Sequence, residues 1–169
     1  MKEDDREKVL KRSERIIKGF NDFKGKKLGE LKISFLPAFT AWLNGSIIAV
    51  KRGEVELEFE TRPEMANPTG LLHGGMQSAI LDDTIGITSA TLGYEGFLIS
   101  IDTHVDYLGK VKVGEKIRSV GRVVREGRSI AHITAEIYDS KGDLVSTADS
   151  NLLRTSFTPE YVKRADKEI

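Results

Sequence analysis

The sequence has no cysteine, no excess charge of either sign and no long apolar run, and each absence removes a class of protein. Without cysteine there can be no disulfide framework, no thiolate nucleophile and no cysteine-ligated zinc. Lys and Arg number 26 and Asp and Glu also number 26, so no bulk positive charge favours nucleic acid. No stretch approaches the roughly 20 apolar residues that span a bilayer, and the N-terminus is charged from its second residue. We expect a cytoplasmic protein with no nucleic-acid partner and no membrane insertion.

Patterning divides the chain into three parts, a helical extension (1–44), a main domain (45–156) and a charged tail (157–169). Its 169 residues suit one domain of common size. Between Glu7 and Phe23 apolar residues recur at helical spacing, which predicts an amphipathic helix. The segment 34–45 predicts a brief second helix that ends at an Asn-Gly pair.

The main domain reads as two strands, one long helix and four further strands. "SIIAVKRGEVELEFET" predicts a hairpin that turns at Arg52-Gly53. "LLHGGMQSAILDDTIG" predicts a helix that is apolar nearly all round, and such a helix must be enclosed by its sheet. Four strand patterns follow with short links, which predicts a meander: "FLISIDTHVDYLG", "KIRSVGRVVRE", "SIAHITAEIYD" and "LVSTADSNLLRTS". The fold class is therefore α+β, with an antiparallel sheet of about six strands wrapped around one helix.

Asp82 lies on a strip of small side chains along this helix. At about 100° per residue, its neighbours on the helix surface are Gly75, Ser78, Ala79, Ile85, Gly86, Ser89 and Gly93. Larger residues occupy the opposite side, and we expect them to fill the concave face of the sheet: Gln77, Ile80, Thr84, Ile87 and Thr91. Small side chains let another backbone approach closely, so the strip favours contact with a second helix or a ligand.

The start of the same helix offers a site for an anionic oxygen. Gly74 and Gly75 carry N–H groups without helical partners, and they lack a Cβ that would block approach. Asp82 could serve as general base or nucleophile on a carbonyl. Gly74 and Asp82 are eight residues apart, or about 12 Å along the axis, too far to act on one carbonyl. An antiparallel pair of such helices would bring Asp82 of one chain to Gly74 of the other, which predicts an obligate homodimer with shared active sites.

Other chemistries find little support in the sequence. No G-x-S-x-G, Walker or G-x-G-x-x-G motif is present. His73, Asp82 and Asp83 lack the one-turn spacing of metal ligands, so we expect neither a metal nor a cofactor. A histidine at a helix start more often shapes its loop than transfers protons. Asp83 remains a rival to Asp82, because periodicity alone does not separate adjacent carboxylates.

The stretch "NPTGLLHGGMQSAILDDTIG" resembles the signature of hotdog-fold acyl-CoA thioesterases of the phenylacetate-degradation (PaaI-like) type. The resemblance covers roughly Gly45 to Ser156 and implies the hotdog fold. It implies these site residues: Asp82 as catalytic carboxylate, Gly74 as oxyanion donor, Asn67 as the residue that orients water or the thioester, and Ser100 as a hydroxyl that positions water. The family shares its sites across a dimer interface and commonly pairs dimers into tetramers.

The resemblance implies hydrolysis of an acyl-CoA thioester to free acid and CoA. We add His73 to the catalytic set, and we expect Gly75 and Asp83 to contact substrate. A hotdog hydratase or dehydratase acting on acyl-CoA remains an alternative, because the fold hosts several thioester chemistries. A second alternative is a non-catalytic acyl-CoA binding module, with the N-terminal helix as its output element.

Overall fold

Seven strands and four α-helices make up the part of the chain that the computed structural model describes, residues 3–167. The helices are α1 (Glu3–Asp22), α2 (Ala38–Leu43), α3 (Gly74–Ala90) and α4 (Glu160–Lys167). The strands are β1 (Ser46–Lys51), β2 (Glu54–Glu60), β3 (Leu98–Ser100), β4 (His104–Tyr107), β5 (Lys116–Glu126), β6 (Ile130–Tyr138) and β7 (Leu144–Arg154). The outer ends of the predicted extension and tail, residues 1–2 and 168–169, lie outside the described residues.

All strands pair antiparallel in one sheet, in the order β1-β2-β5-β6-β7-β3, with β4 also paired to β7. Strict alternation decides which face of β2 is buried, since Val55, Leu57 and Phe59 point inward between glutamates. The long helix α3 packs on the inner face of the sheet, and Ile80, Leu81 and several other α3 side chains are wholly buried there. The predicted α+β class, with a sheet around one long helix, is confirmed.

The sheet has seven strands instead of about six, because the predicted strand at 97–109 is interrupted. At the break, the Asp102 carboxylate accepts hydrogen bonds from the backbone N–H of Asn151 at 2.8 Å and from its Nδ2 at 2.9 Å. The Ser150 hydroxyl donates to the Asp102 carbonyl oxygen at 2.6 Å. These bonds replace the regular ladder and separate β3 from β4.

The predicted four-strand meander is correct only for β5, β6 and β7. Both β3 and β4 pair with β7, so the first strand after α3 does not neighbour β5. The link between β4 and β5 crosses the end of the sheet and is held there by loop contacts. Leu72 donates its N–H to the Val111 carbonyl and Gly114 donates to the Thr61 carbonyl, each at 2.8 Å. A short link therefore spans the sheet without making a hairpin.

The predicted N-terminal helix is present as α1, and it covers the C-terminal end of α3. Arg12 Nη1 donates to the Gly93 carbonyl at 2.9 Å, and the Ser13 hydroxyl donates to the Thr91 carbonyl at 2.6 Å. Gly93 has φ +75°, and a Cβ there would collide with the Val9 carbonyl and lie 2.5 Å from the Ser13 nitrogen. A cationic side chain at this end of α3 also complements the helix dipole.

The predicted charged tail contains helix α4, which packs on α1. Val162 and Ala165 are buried, and Arg12 Nε pairs with Asp166 Oδ1 at 2.7 Å. The two helices at opposite ends of the described chain thus form one layer over the end of α3. The domain limits at 44 and 157 stay a prediction.

Candidate active site

One side of α3 remains open to solvent in the single chain, and it carries part of the predicted strip. Gly75, Asp82 and Gly86 are exposed, and Ser78 and Ala79 are half-buried. The opposite side packs on the sheet as predicted, with one exception: Gln77, Ile80, Thr84 and Thr91 are buried, whereas Ile87 is half-buried. Three residues assigned to the strip are covered instead: Ile85, Ser89 and Gly93.

His73 caps the start of α3 with its side chain. Its Nδ1 accepts a hydrogen bond from the Gly75 N–H at 2.9 Å, and its carbonyl accepts from Met76 and Gln77. A neutral ring that accepts at Nδ1 carries its proton on Nε2. The Gly75 N–H is therefore already used. The Gly74 N–H has no hydrogen-bond acceptor within residues 3–167, so it is the donor open to an incoming oxyanion.

Asn67 shapes the loop that precedes this helix. Its side-chain oxygen accepts from the Thr69 N–H at 2.9 Å, the Thr69 hydroxyl at 2.7 Å and the Leu71 N–H at 3.2 Å. Such a turn, closed by an asparagine side chain, fixes the chain that leads to His73. The Asn67 Nδ2 group makes no hydrogen bond to the described residues, which leaves it free for water or substrate.

Asp82 and Ser100 lie together at the middle of α3. Both side chains are exposed, and Ser100 Oγ on β3 is 3.4 Å from Asp82 Oδ1. This distance exceeds that of a strong O–H···O bond, so the carboxylate retains nearly all its capacity to accept protons or hydrogen bonds. The structure thus brings together two of the predicted site residues at this point. It places His73 and Gly74 at the start of the helix, and Asn67 in the loop before it.

Asp83 faces the opposite environment from its neighbour. Its Oδ1 accepts a hydrogen bond from the Thr40 hydroxyl of α2 at 2.6 Å, and its Oδ2 is buried with no partner among the described residues. Burial raises the pKa of Asp83 from 3.8 to about 6, the Thr40 hydrogen bond opposes this, and the Asp82 charge adds to it. The Asp83 carboxylate therefore contacts α2, and its contact with substrate stays a prediction.

Tyr107 at the end of β4 is the site residue that sequence reasoning missed. Its hydroxyl lies 2.6 Å from Ser78 Oγ, and its ring lies 3.4 Å from the position that a Cβ on Gly74 would occupy. Simple alternation from Ser100 to Tyr107 puts the two side chains on opposite faces of a strand. The break at Asp102 shifts the register by one residue, because Ser100 pairs with Leu152 whereas His104 pairs with Asp149. Both side chains consequently reach α3.

Metal binding and membrane crossing are two further possibilities to consider for residues 3–167. No group of three or more His, Asp or Glu side chains there is placed to hold a metal ion. No helix in the same range has the length and apolar character needed to cross a membrane.

Comparison with known proteins agrees with the fold. Residues 69–146 match the model of the Thioesterase superfamily. This match confirms the resemblance to thioesterases that the sequence predicted.

The relatives include human acyl-coenzyme A thioesterase 13, which is 26% identical over 94 residues, 54% of this chain and 66% of the human protein. The structure of the E. coli PaaI protein aligns over 89% of this chain and 98% of that one, with TM-score 0.72 and 14% identity. The structure of smu.793 from Streptococcus mutans, bound to acetyl CoA, aligns over 74% of this chain and 97% of that one, with TM-score 0.67 and 20% identity. At these identities the two structures establish the hotdog-type fold alone.

Proposed function

We propose that the chain is an acyl-CoA thioesterase whose active site is shared by two protomers. The Gly74 N–H of one protomer binds the developing oxyanion, and the partner's Asp82 acts on the thioester carbonyl. One observation carries the proposal: the first N–H of α3 has no acceptor among the described residues, and the exposed Asp82 carboxylate of the same helix is nearly unpartnered. A preorganised amide donor and a positioned carboxylate are the two groups that acyl transfer requires.

The spacing of these two groups is the reason for a homodimer. Gly74 and Asp82 are separated by eight residues of continuous helix, which is about 12 Å along the axis. A two-fold axis that pairs α3 with its copy through the exposed small residues would close this gap. Large apolar side chains on and after β3 support such a contact, since Ile99 is 48% exposed and Ile101 is 54% exposed in the single chain.

The remaining site residues take supporting roles. Ser100 holds a water molecule near Asp82, and Asn67 Nδ2 orients that water or the thioester. Asp82 either takes a proton from the water, whose oxygen attacks the carbonyl, or attacks the carbonyl directly. The carbon–sulfur bond then breaks and the CoA sulfur leaves and takes up a proton. In the case of direct attack an acyl–Asp82 anhydride forms, and the water then hydrolyses it to the free acid and restores the carboxylate. His73 fixes the start of α3 through the Gly75 N–H, and Gly75 admits substrate because it has no side chain.

The names of related proteins support this substrate class. A human relative is called acyl-coenzyme A thioesterase 13, and a structure with a similar fold was solved with acetyl CoA.

A thiol-release assay over short, long and aryl acyl-CoAs tests the proposal. We expect free CoA from at least one of them, and Asp82→Asn should lower kcat by at least about 100-fold while the fold persists. Asp83→Asn is the matched control, since it changes the adjacent carboxylate, and it should retain most of the activity. The proposal fails if Asp82→Asn is fully active. A hydratase would alter the acyl group without releasing thiol, and a binding module would be stabilised by acyl-CoA without turnover.

We also propose that dimers associate into tetramers and that the protein works in the cytoplasm, as the family resemblance and the lack of cysteine suggest. Light scattering with size-exclusion chromatography tests the first. Cell fractionation tests the second.

A further inference from the structure

A chain of hydrogen bonds runs from β4 to the first turn of α3. Tyr107 Oη lies 2.6 Å from Ser78 Oγ, and Ser78 Oγ donates to the Gly74 carbonyl oxygen at 3.2 Å. A serine hydroxyl has only one proton to give. Since that proton goes to the Gly74 carbonyl, the Tyr107 hydroxyl is the donor to Ser78.

The same peptide unit is held from its other side. The carbonyl of Gly74 and the N–H of Gly75 belong to one planar peptide, and this N–H donates to His73 Nδ1 at 2.9 Å. Tyr107, Ser78 and His73 therefore fix both polar groups of the Gly74-Gly75 peptide. Hydrogen bonds linked in this way polarise and strengthen one another.

Two consecutive glycines need this support if Gly74 is to bind an oxyanion. Glycine has more backbone freedom than any other residue, and the first turn of a helix has few internal hydrogen bonds. An oxyanion donor is effective only when it is already oriented before the reaction. The Tyr107 ring adds a steric restraint, because it lies in van der Waals contact with the space beside the Gly74 Cα.

The Gly74 N–H lies in the preceding His73-Gly74 peptide, whose carbonyl accepts from the Met76 and Gln77 N–H groups. This peptide is joined to the Gly74-Gly75 peptide at the Gly74 Cα, so fixing the second peptide restricts rotation of the first. We propose that Tyr107 and Ser78 are positioning residues that in this way hold the Gly74 N–H in the direction of the substrate oxygen. The inference deepens the proposed thioesterase activity and rests on it. Neither residue exchanges a proton with substrate. Their effect is on the transition state, where charge develops on the oxygen, and not on the binding of acyl-CoA in its ground state.

The variants Tyr107→Phe and Ser78→Ala test this role, because each removes one hydroxyl and little else. Each should lower kcat about tenfold, the effect expected for one lost hydrogen bond in a preorganised site, and leave KM within about twofold. The double variant should be no slower than the slower single variant, since both changes break the same chain. Tyr138→Phe is the matched control, because it removes a phenol that binds Glu136 elsewhere on the sheet.

Amide hydrogen exchange of the intact protein gives a second measurement that does not need turnover. The Gly75 N–H should exchange faster in Tyr107→Phe and Ser78→Ala than in the wild type and in Tyr138→Phe. Wild-type kcat and wild-type Gly75 exchange in Tyr107→Phe would overturn the inference, as would an equal rise in KM and fall in kcat. If the wild type releases no thiol from any acyl-CoA, the proposed function fails, and the Gly75 exchange rate alone decides whether the network positions this peptide.

Discussion

The hydroxyl of Thr40 donates to Asp83 across 2.6 Å and so directs the second carboxylate of an Asp-Asp pair into the protein. Asp82, the preceding residue, is exposed beside Ser100. Side chains at adjacent positions of a helix point about 100° apart. Asp82 therefore faces solvent, whereas Asp83 faces α2. One carboxylate is consequently available for chemistry, and the other connects two helices.

Asp83 should make the protein less stable as pH rises from about 4 to about 6. Its pKa is about 6 in the folded chain and 3.8 as an ordinary value. The folded state therefore binds the proton more tightly than the unfolded state does. The stabilisation that results is fully present below pH 3.8 and is lost above about pH 6. The difference between the two pKa values corresponds to about 3 kcal/mol in the free energy of unfolding. Urea unfolding of the wild type and Asp83→Asn at pH 4.5 and pH 8 measures it.

The expected result is that the stability of Asp83→Asn relative to wild type increases at pH 8 by up to about 3 kcal/mol. The comparison cancels the titrating groups that do not interact with Asp83, because both proteins share them. If the stability difference between the two proteins is the same at pH 4.5 and pH 8, the pKa of Asp83 is not raised in the folded state.

Thr40→Val should destabilise the protein at pH 8. The substitution keeps the shape of the side chain and removes the donor to Asp83, which leaves both carboxylate oxygens without a partner and costs about 1 to 3 kcal/mol. Thr134→Val is a suitable control, since its hydroxyl makes only a 3.5 Å contact with the Arg122 carbonyl. In an Asp83→Leu background, Thr40→Val should cost little, because no carboxylate is left to satisfy. A cost that is the same in both backgrounds would show that the hydrogen bond is not its source.

Gly86→Arg should separate folding from assembly. A Cβ at Gly86 meets nothing within 4 Å in the single chain, so the protomer should fold. If α3 packs against its copy through this strip, a large cation there breaks the dimer and lowers kcat by at least about 100-fold, because each site loses one half. Gly19→Arg is the matched control, since Gly19 is also a helical glycine with nothing within 4 Å. Light scattering and thiol release report the outcome, and an active Gly86→Arg dimer would exclude this interface.

Gly93→Ala should loosen α1. Gly93 and Gly142 both have positive φ, +75° and +90°, so alanine is strained at either position. Only Gly93 has the backbone of α1 against it, whereas a Cβ at Gly142 has open space. We expect Gly93→Ala to cost at least about 1 kcal/mol more than Gly142→Ala and to make α1 more sensitive to limited proteolysis. Equal protease sensitivity in the two variants would contradict the docking.

The features of the fold that depend on residues close together in the sequence could be predicted. Alternation in "EVELEFE" gave the buried face of β2, and the turn at Arg52-Gly53 gave the hairpin. The small residues around Asp82 predict which side of α3 is open, and the His-Gly-Gly sequence predicts where the helix starts and exposes its first N–H. These features depend on neighbours within a few residues, where periodicity and capping rules apply.

Features that depend on distant contacts were not predictable. The break at Asp102 arises from hydrogen bonds to β7, and its one-residue shift in register changes the side to which Tyr107 points. Likewise, only the contact with Thr40, 43 residues away in sequence, distinguishes Asp83 from Asp82. Periodicity within α3 contains no information about what packs against it.

The ion pair between Arg12 and Asp166 joins residues 154 positions apart, and this has a consequence for the order of folding. Loop-closure entropy rises with the length of chain between two contacts, while the strands from β5 to β7 meet through short turns. We expect this meander and α3 to form early and the α1–α4 layer to form last. In the native protein, α1 should then open at a lower free energy than the central strands, and its amides should exchange first.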